Sequence, residues 1–281
     1  MQLSGTLYTY YEEDRLTAFE SGDASSPNSV VFIGGLSDGY NAVPFLEPLT
    51  TSLKEIGWSL IQVQLSSSYT GFGFSSLQKD SDELDHLVKY LKDTRKKQKI
   101  VFLGHSTGSQ DCYWHNKNGK MNSSVLGYIL QAPVSDRECG YKVEPSFGEQ
   151  VELATKMRKE GNGGEFLPRK YWDSPMTADR LYSLGAFGGD DDVFSTDLPD
   201  EMIEKLYKDV ERPMAMLHSK DDECYASSLD PMEVMKRYQS FCPAIKKLGL
   251  LDNGGHSVTT KEGQEQLCEF VLEFIHEIEN N

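Results

Sequence analysis

Gly104-His105-Ser106-Thr107-Gly108 sets a serine between two glycines in the G-x-S-x-G pattern. Small residues at those two positions let the chain turn sharply, so that the serine hydroxyl projects from the end of a strand and can act as a nucleophile. The five-residue match is weak evidence alone. Here the apolar run Ile100-Val101-Phe102-Leu103 leads into it and a helical stretch with Cys112 and Trp114 follows, which is the strand-turn-helix context the chemistry requires. An unassisted serine hydroxyl is a poor nucleophile at neutral pH, so a base has to reach it. Of the six histidines, His256 suits best, because Asn253-Gly254-Gly255-His256-Ser257 is a flexible loop between the last strand pattern and the last helix pattern. His86, His115 and His276 fall on predicted helices and His218 ends a strand. His105 lies inside the turn and is expected to pack beside the nucleophile.

A third group must fix the imidazole tautomer and stabilise its charged form. The loop after Met214-Ala215-Met216-Leu217 offers Asp221, Asp222 and Glu223. The third position after the small residue Ser219 selects Asp222, with Asp221 as its competitor; the plain alternative for such a run is a solvated acidic loop. An oxyanion would need two backbone donors, worth about 3 kcal/mol each in related chemistry. The N–H of Thr107 is one, and that of Leu36, beside Gly34-Gly35, is the other; read alone, the glycine pair is a tight turn.

The elements that must hold these residues alternate along the chain. Leu7 to Tyr11 and Leu16 to Phe19 read as an antiparallel pair, and Ser29 to Ile33, a helix from about Pro44 to Ile56, and Trp58 to Leu65 form a β-α-β unit. Between Ser76 and Lys97, Leu84, Leu87, Val88 and Leu91 repeat at helical spacing, and Leu267, Phe270, Val271, Phe274 and Ile275 do the same between Lys261 and Glu279. Lys99 to Leu103, Val125 to Leu130, Met214 to Leu217 and Lys246 to Leu251 are compact apolar strands. The sum predicts an α/β fold with a mostly parallel sheet flanked by helices, in a single domain over residues 1–281. The long stretch from about 133 to 212 shows helical patterns without an obvious strand and is expected to form a cap. Its Tyr171, Trp172, Phe187 and Phe194 and the run Asp190-Asp191-Asp192 are suited to shaping a pocket over the strand ends; a helical insertion that only covers the sheet edge is the plainer alternative.

Composition narrows the partners. The 44 acidic residues outnumber 28 basic ones, a net charge of −16, which repels nucleic acid and anionic membranes and favours neutral or cationic small molecules. The five cysteines are scattered and include no C-x-x-C pair, so neither a metal nor a cofactor is expected, and free thiols in a reducing compartment account for them. The N-terminal stretch lacks a basic n-region and an apolar h-region, and no run approaches a membrane span, which gives the expectation of a cytoplasmic location. In that setting the Asn122-Ser123-Ser124 sequon carries no weight.

Four longer pieces go beyond the elbow: Ile33 to Tyr40 (IGGLSDGY), Leu103 to Asp111 (LGHSTGSQD), Gln131 to Arg137 (QAPVSDR) and Asp191 to Leu198 (DDVFSTDL). In these the chain resembles a branch of the α/β-hydrolases, a fungal and plant family of unknown function that includes fungal siderophore esterases. The resemblance extends over most of the chain. It implies the α/β-hydrolase fold, a triad of Ser106, Asp222 and His256, a cap from about Pro133 to Arg212, and hydroxamate siderophore esters of the fusarinine type as substrates. Where many relatives of the wider fold have glycine, this chain has Ser219, which bears on the choice between Asp221 and Asp222. A fusarinine-type molecule with free amines is cationic and would be drawn to an acidic protein. Competing readings are a carboxylesterase or thioesterase acting on small neutral acyl groups, and a non-catalytic binding scaffold; the presence of both serine and histidine speaks against the latter.

Overall fold

A computed structural model describes residues 2–280. The chain opens with an antiparallel pair, β1 (Gly5–Tyr11) and β2 (Leu16–Gly22), followed by β3 (Asn28–Ile33), α1 (Leu46–Glu55) and β4 (Trp58–Val63). Next come α2 (Leu77–Asp93), β5 (Lys99–His105), α3 (Gly108–Asn118) and β6 (Gly127–Gln131). Four helices then precede the next strand: α4 (Asp136–Val143), α5 (Phe147–Lys159), α6 (Ala178–Gly185) and α7 (Asp200–Tyr207). β7 (Met214–Ser219), α8 (Pro231–Phe241), β8 (Ile245–Leu251) and α9 (Lys261–Glu279) complete the chain.

The eight strands form one sheet in the order β1-β2-β4-β3-β5-β6-β7-β8. The pairings of β1 with β2 and of β2 with β4 are antiparallel, and all others are parallel. The expected mostly parallel sheet is therefore present. Its central strands are buried on both faces, as the continuous apolar runs of β3 and β5 require. One face packs Leu84, Leu87, Val88 and Leu91 of α2 with Cys112 and Tyr113 of α3; the other packs Leu46, Leu49 and Leu53 of α1 with Leu267, Val271, Phe274 and Ile275 of α9. β5 thus runs between two apolar layers, and its C-terminal end, where the serine turn begins, is fixed from both sides.

Element bounds differ from the sequence expectation mainly at their ends. α2 stops at Asp93 because Lys96 takes a positive φ of 59° and Lys97 turns inward to meet the buried carboxylate of Glu20. The inserted region is helical, with one isolated antiparallel bridge between Phe166 and Thr177. Within the acidic run Asp190 borders a surface pocket together with Arg158, Asp179 and Arg180, whereas the other two residues turn inward. Asp191 and Asp192 are buried, Asp191 paired with Arg180 at 2.7 Å and Asp192 with Arg137 at 3.0 Å. Arg137 also meets Asp197, and Asp192 accepts from the hydroxyl of Ser195. Of the aromatics expected there, Phe194 is buried against the sheet core and Phe187 is exposed. Only Trp172 packs toward the site, edge-on to Phe72 at 6.3 Å between ring centroids.

Candidate active site

β5 delivers the serine turn. Ser106 has a φ of 53°, a left-handed conformation that costs a non-glycine residue of order 1–3 kcal/mol and lets the side chain leave the sheet end. The glycines on either side have no room for a side chain: a Cβ on Gly104 would overlap the Gly108 carbonyl, and one on Gly108 would overlap the carbonyls of Ile33 and Gly34. The Ser106 N–H donates to the Gln131 carbonyl at 3.0 Å, which ties the turn to the neighbouring strand.

His256 Nε2 lies 2.8 Å from Ser106 Oγ, and its Nδ1 lies 3.0 Å from both carboxylate oxygens of Asp222. The choice left open in the acidic loop is divided three ways in space. Asp222 faces the imidazole; Asp221 accepts from the N–H groups of Gly254 and Gly255, at 3.3 and 3.0 Å; Glu223 accepts from the His256 backbone N–H at 2.9 Å. All three carboxylates hold one short loop. The Cys224 N–H donates to Asp222 at 2.9 Å and orients it.

Burial disfavours the imidazolium of His256, but hydrogen bonds to Asp222 and then Cys224 outweigh that and raise its pKa above the ordinary value. Burial likewise opposes the charge of Asp222, and the His256 hydrogen bond overcomes it, so its carboxyl stays below the usual range. Two other histidines lie near. His105 is lowered to about 4 by burial and then by the neighbouring His256, and His218 is lowered to about 4 by burial. Both are neutral at physiological pH, and His105 Nδ1 is engaged by Gln131. His256 is the one of the three placed to exchange a proton with the serine.

Leu36 and Thr107 border one cavity together with Gly34, Gly35 and Asp38, and neither backbone N–H has an acceptor within the fold among the described residues. The Gly34-Gly35-Leu36 turn is shaped by Asp38, whose carboxylate accepts the Gly35 N–H at 2.7 Å. Gly35 is needed at this approach: a Cβ there would sit 2.8 Å from Ser106 Cβ. Asp38 and Gln131 carry no role that their residue types alone make legible in the sequence. Gln131 joins the serine turn, His105 and, through Nε2, the His256 carbonyl at 3.2 Å. Both lie within the pieces that carry the family resemblance, and their position there was the available signal. Among the described residues, Asp222, Cys224 and His256 form the one group with metal-ligand spacing, within 4.8 Å. Two of the three are already joined by the imidazole–carboxylate hydrogen bond.

A predominantly parallel sheet with a strained serine turn at the end of β5, facing a histidine loop after β8, defines an α/β-hydrolase. The chain belongs to the family described as protein of unknown function DUF1749, whose model matches residues 1–276. It is 32% identical to a UPF0613 protein of Schizosaccharomyces pombe, over 94% of this chain and 93% of that one. It is 26% identical to the fusarinine C esterase sidJ of Aspergillus fumigatus, over 94% and 92% of the two chains. Among solved structures, the siderophore hydrolase EstB from Aspergillus fumigatus superposes with a TM-score of 0.83 at 26% identity, covering 99% of this chain and 98% of that one.

Proposed function

We propose that this protein is a serine esterase in which Ser106 is the nucleophile, His256 the general base and Asp222 the group that stabilises the imidazolium. The observation that carries this is the continuous line of hydrogen bonds from Asp222 through His256 to Ser106 Oγ. His256 Nε2 takes the hydroxyl proton as Ser106 attacks the ester carbonyl; the N–H groups of Leu36 and Thr107 receive the oxyanion. The protonated His256 then gives its proton to the departing alkoxide, leaving an acyl-enzyme that water hydrolyses by the reverse assignment of roles. No step calls for a metal or cofactor.

The substrates we propose are esters of fusarinine-type hydroxamate siderophores, on the strength of similarity to a fusarinine C esterase and a siderophore hydrolase along nearly the full chain. We read the helices between β6 and β7, about residues 133–212, as a cap over the reacting group; the packing of Trp172 on Phe72 supports this. A cytoplasmic setting fits the five free thiols, and no helix among the described residues is long and apolar enough to cross a membrane.

Product analysis by mass spectrometry on a fusarinine-type siderophore, iron-free and iron-loaded, tests the reading. Wild type should release the ester-cleaved product and label with a fluorophosphonate. Ser106→Ala should do neither, with turnover down by roughly a thousandfold or more. Labelling without cleavage of either siderophore form would retain the serine hydrolase and remove the siderophore; cleavage by Ser106→Ala would remove the nucleophile.

A further inference from the structure

Of the five cysteines, Cys112, Cys242 and Cys268 are buried, whereas Cys139 and Cys224 are partly exposed. Those two meet in space although they are far apart in the chain. Cys139 lies on α4, at the start of the inserted region, and Cys224 in the loop after β7, two residues beyond Asp222. Their thiols share a hydrogen bond. The contact belongs to a wider docking of the two segments. Lys142, three residues on from Cys139 and so on the same face of α4, donates to the carbonyls of Glu223 at 3.3 Å and Tyr225 at 3.1 Å, the residues on either side of Cys224.

The same loop carries the acid. The Cys224 N–H donates to Asp222 at 2.9 Å, and Cys224 Sγ lies within 4.8 Å of a carboxylate oxygen of Asp222 and a ring nitrogen of His256. Cys224 therefore stands between the imidazole and Cys139. The hydrogen bond from Cys224 holds the Cys139 thiol below its ordinary range against the effect of burial, and the same bond pushes Cys224 up. Cys139 is thus the thiol that ionises first and Cys224 the one that keeps its proton, an order that suits an attacking and a resolving cysteine. The steps assigned to Ser106, His256 and Asp222 use neither thiol.

We propose that Cys139 and Cys224 are a modification site, at which a hydroperoxide closes a disulfide between α4 and the acid loop and reversibly switches the esterase off. The switching rests on the esterase reading; the disulfide does not. With hydrogen peroxide as oxidant, the Cys139 thiolate attacks one oxygen and the O–O bond breaks. The departing hydroxide takes up the proton that Cys139 released, leaving water and a Cys139 sulfenic acid. Cys224 then attacks that sulfur, the S–O bond breaks, and the second hydroxide leaves with the Cys224 proton as water. The two thiols lose two electrons and the peroxide gains them. Closing the sulfurs from hydrogen-bonding reach to the about 2.0 Å of a disulfide requires a movement of roughly 1 Å or more, which draws on the segment whose N–H orients Asp222. A misplacement of that size costs about a hundredfold in rate. In a reducing compartment the pair stays open and closes only under an oxidant.

The test treats wild type with hydrogen peroxide in the presence of a chelator, then alkylates, digests and maps the peptides by mass spectrometry. The chelator keeps metal capture by Asp222, Cys224 and His256 out of the readout. A peptide pair linked through Cys139 and Cys224, two hydrogens lighter than its separate halves, should appear, and dithiothreitol should remove it. Over the same time course kcat for a neutral ester should fall roughly tenfold to a hundredfold and return with the thiols. Cys139→Ser should hydrolyse that ester at the wild-type rate before treatment and keep its rate under peroxide. Absence of the linked peptide at every dose up to the one that carries either thiol to a sulfinic acid overturns the site. A linked peptide with an unchanged rate, or equal inactivation of Cys139→Ser, overturns the switch. If untreated wild type shows neither fluorophosphonate labelling nor ester hydrolysis, the esterase reading falls and the switch with it, while the linked peptide still decides the disulfide.

Discussion

The serine turn and the histidine loop meet at one hydrogen bond, but they are held in opposite ways. Around Ser106 the backbone does the positioning: two glycines pack against carbonyls with no room for a methyl group, and β5 is clamped between two apolar layers. Around His256 the side chains do it: Asp221 takes two backbone N–H groups of one glycine-rich loop, Glu223 a third, and Asp222 the imidazole. Steric positioning tolerates no substitution, whereas positioning by carboxylates is divisible, and each carboxylate can be removed separately. The imidazole they surround also titrates, so the histidine side depends on pH in a way the serine side does not.

This contrast orders the expected effects. Asp222→Asn removes the charge facing the imidazole and should lower kcat by about 10⁴-fold, the magnitude known for the equivalent change in a serine protease, with the melting temperature little altered. A loss below about tenfold would mean that the acid lies elsewhere in the loop. Gly104→Ala should act on the fold, at a cost of about 3 kcal/mol or more in a denaturant titration, because a Cβ there meets backbone that cannot yield. If Gly104→Ala folds with wild-type stability and full activity, the claim of steric positioning fails. Asp221→Asn and Glu223→Gln each weaken one anchor of the loop and should cost about tenfold in kcat, well short of Asp222→Asn. If either equals the loss at Asp222, the division of labour among the three carboxylates is wrong. The smallest effect is on pH. His256 must be neutral to accept the Ser106 proton, and its pKa is raised, so the protonated, inactive form persists to higher pH. The acid limb of kcat/KM should therefore have its midpoint above 6.5 and move down in Asp222→Asn. A midpoint at or below 6.5 in wild type would contradict the hydrogen bonds assigned to His256.

The same contrast explains what the sequence makes legible. The strands, their alternation with helices and the serine turn are local patterns, written in contiguous apolar runs and closely spaced glycines. The histidine loop is legible as a position but not as a mechanism, because Asp221, Asp222 and Glu223 are chemically alike in a string and differ only in which N–H each reaches. The acidic run at Asp190 to Asp192 misleads for a related reason. Charge in sequence reads as exposure, and the arginines that bury Asp191 and Asp192 are Arg180 and Arg137, set in other helices of the insertion. Asp38 and Gln131 fall in the same class, being polar residues whose partners are fixed by the fold and not by neighbours in the chain.

The left-handed backbone of Ser106 has a consequence for how this chain can change over generations. At that φ glycine is the conformation's natural occupant, so the step from Ser106 to glycine would relieve strain while removing the hydroxyl we propose as nucleophile. Folding alone therefore favours glycine at this position, and a demand that keeps serine there would oppose stability. In a copy of the gene freed from that demand, Ser106 is the residue at which drift and thermodynamics pull the same way.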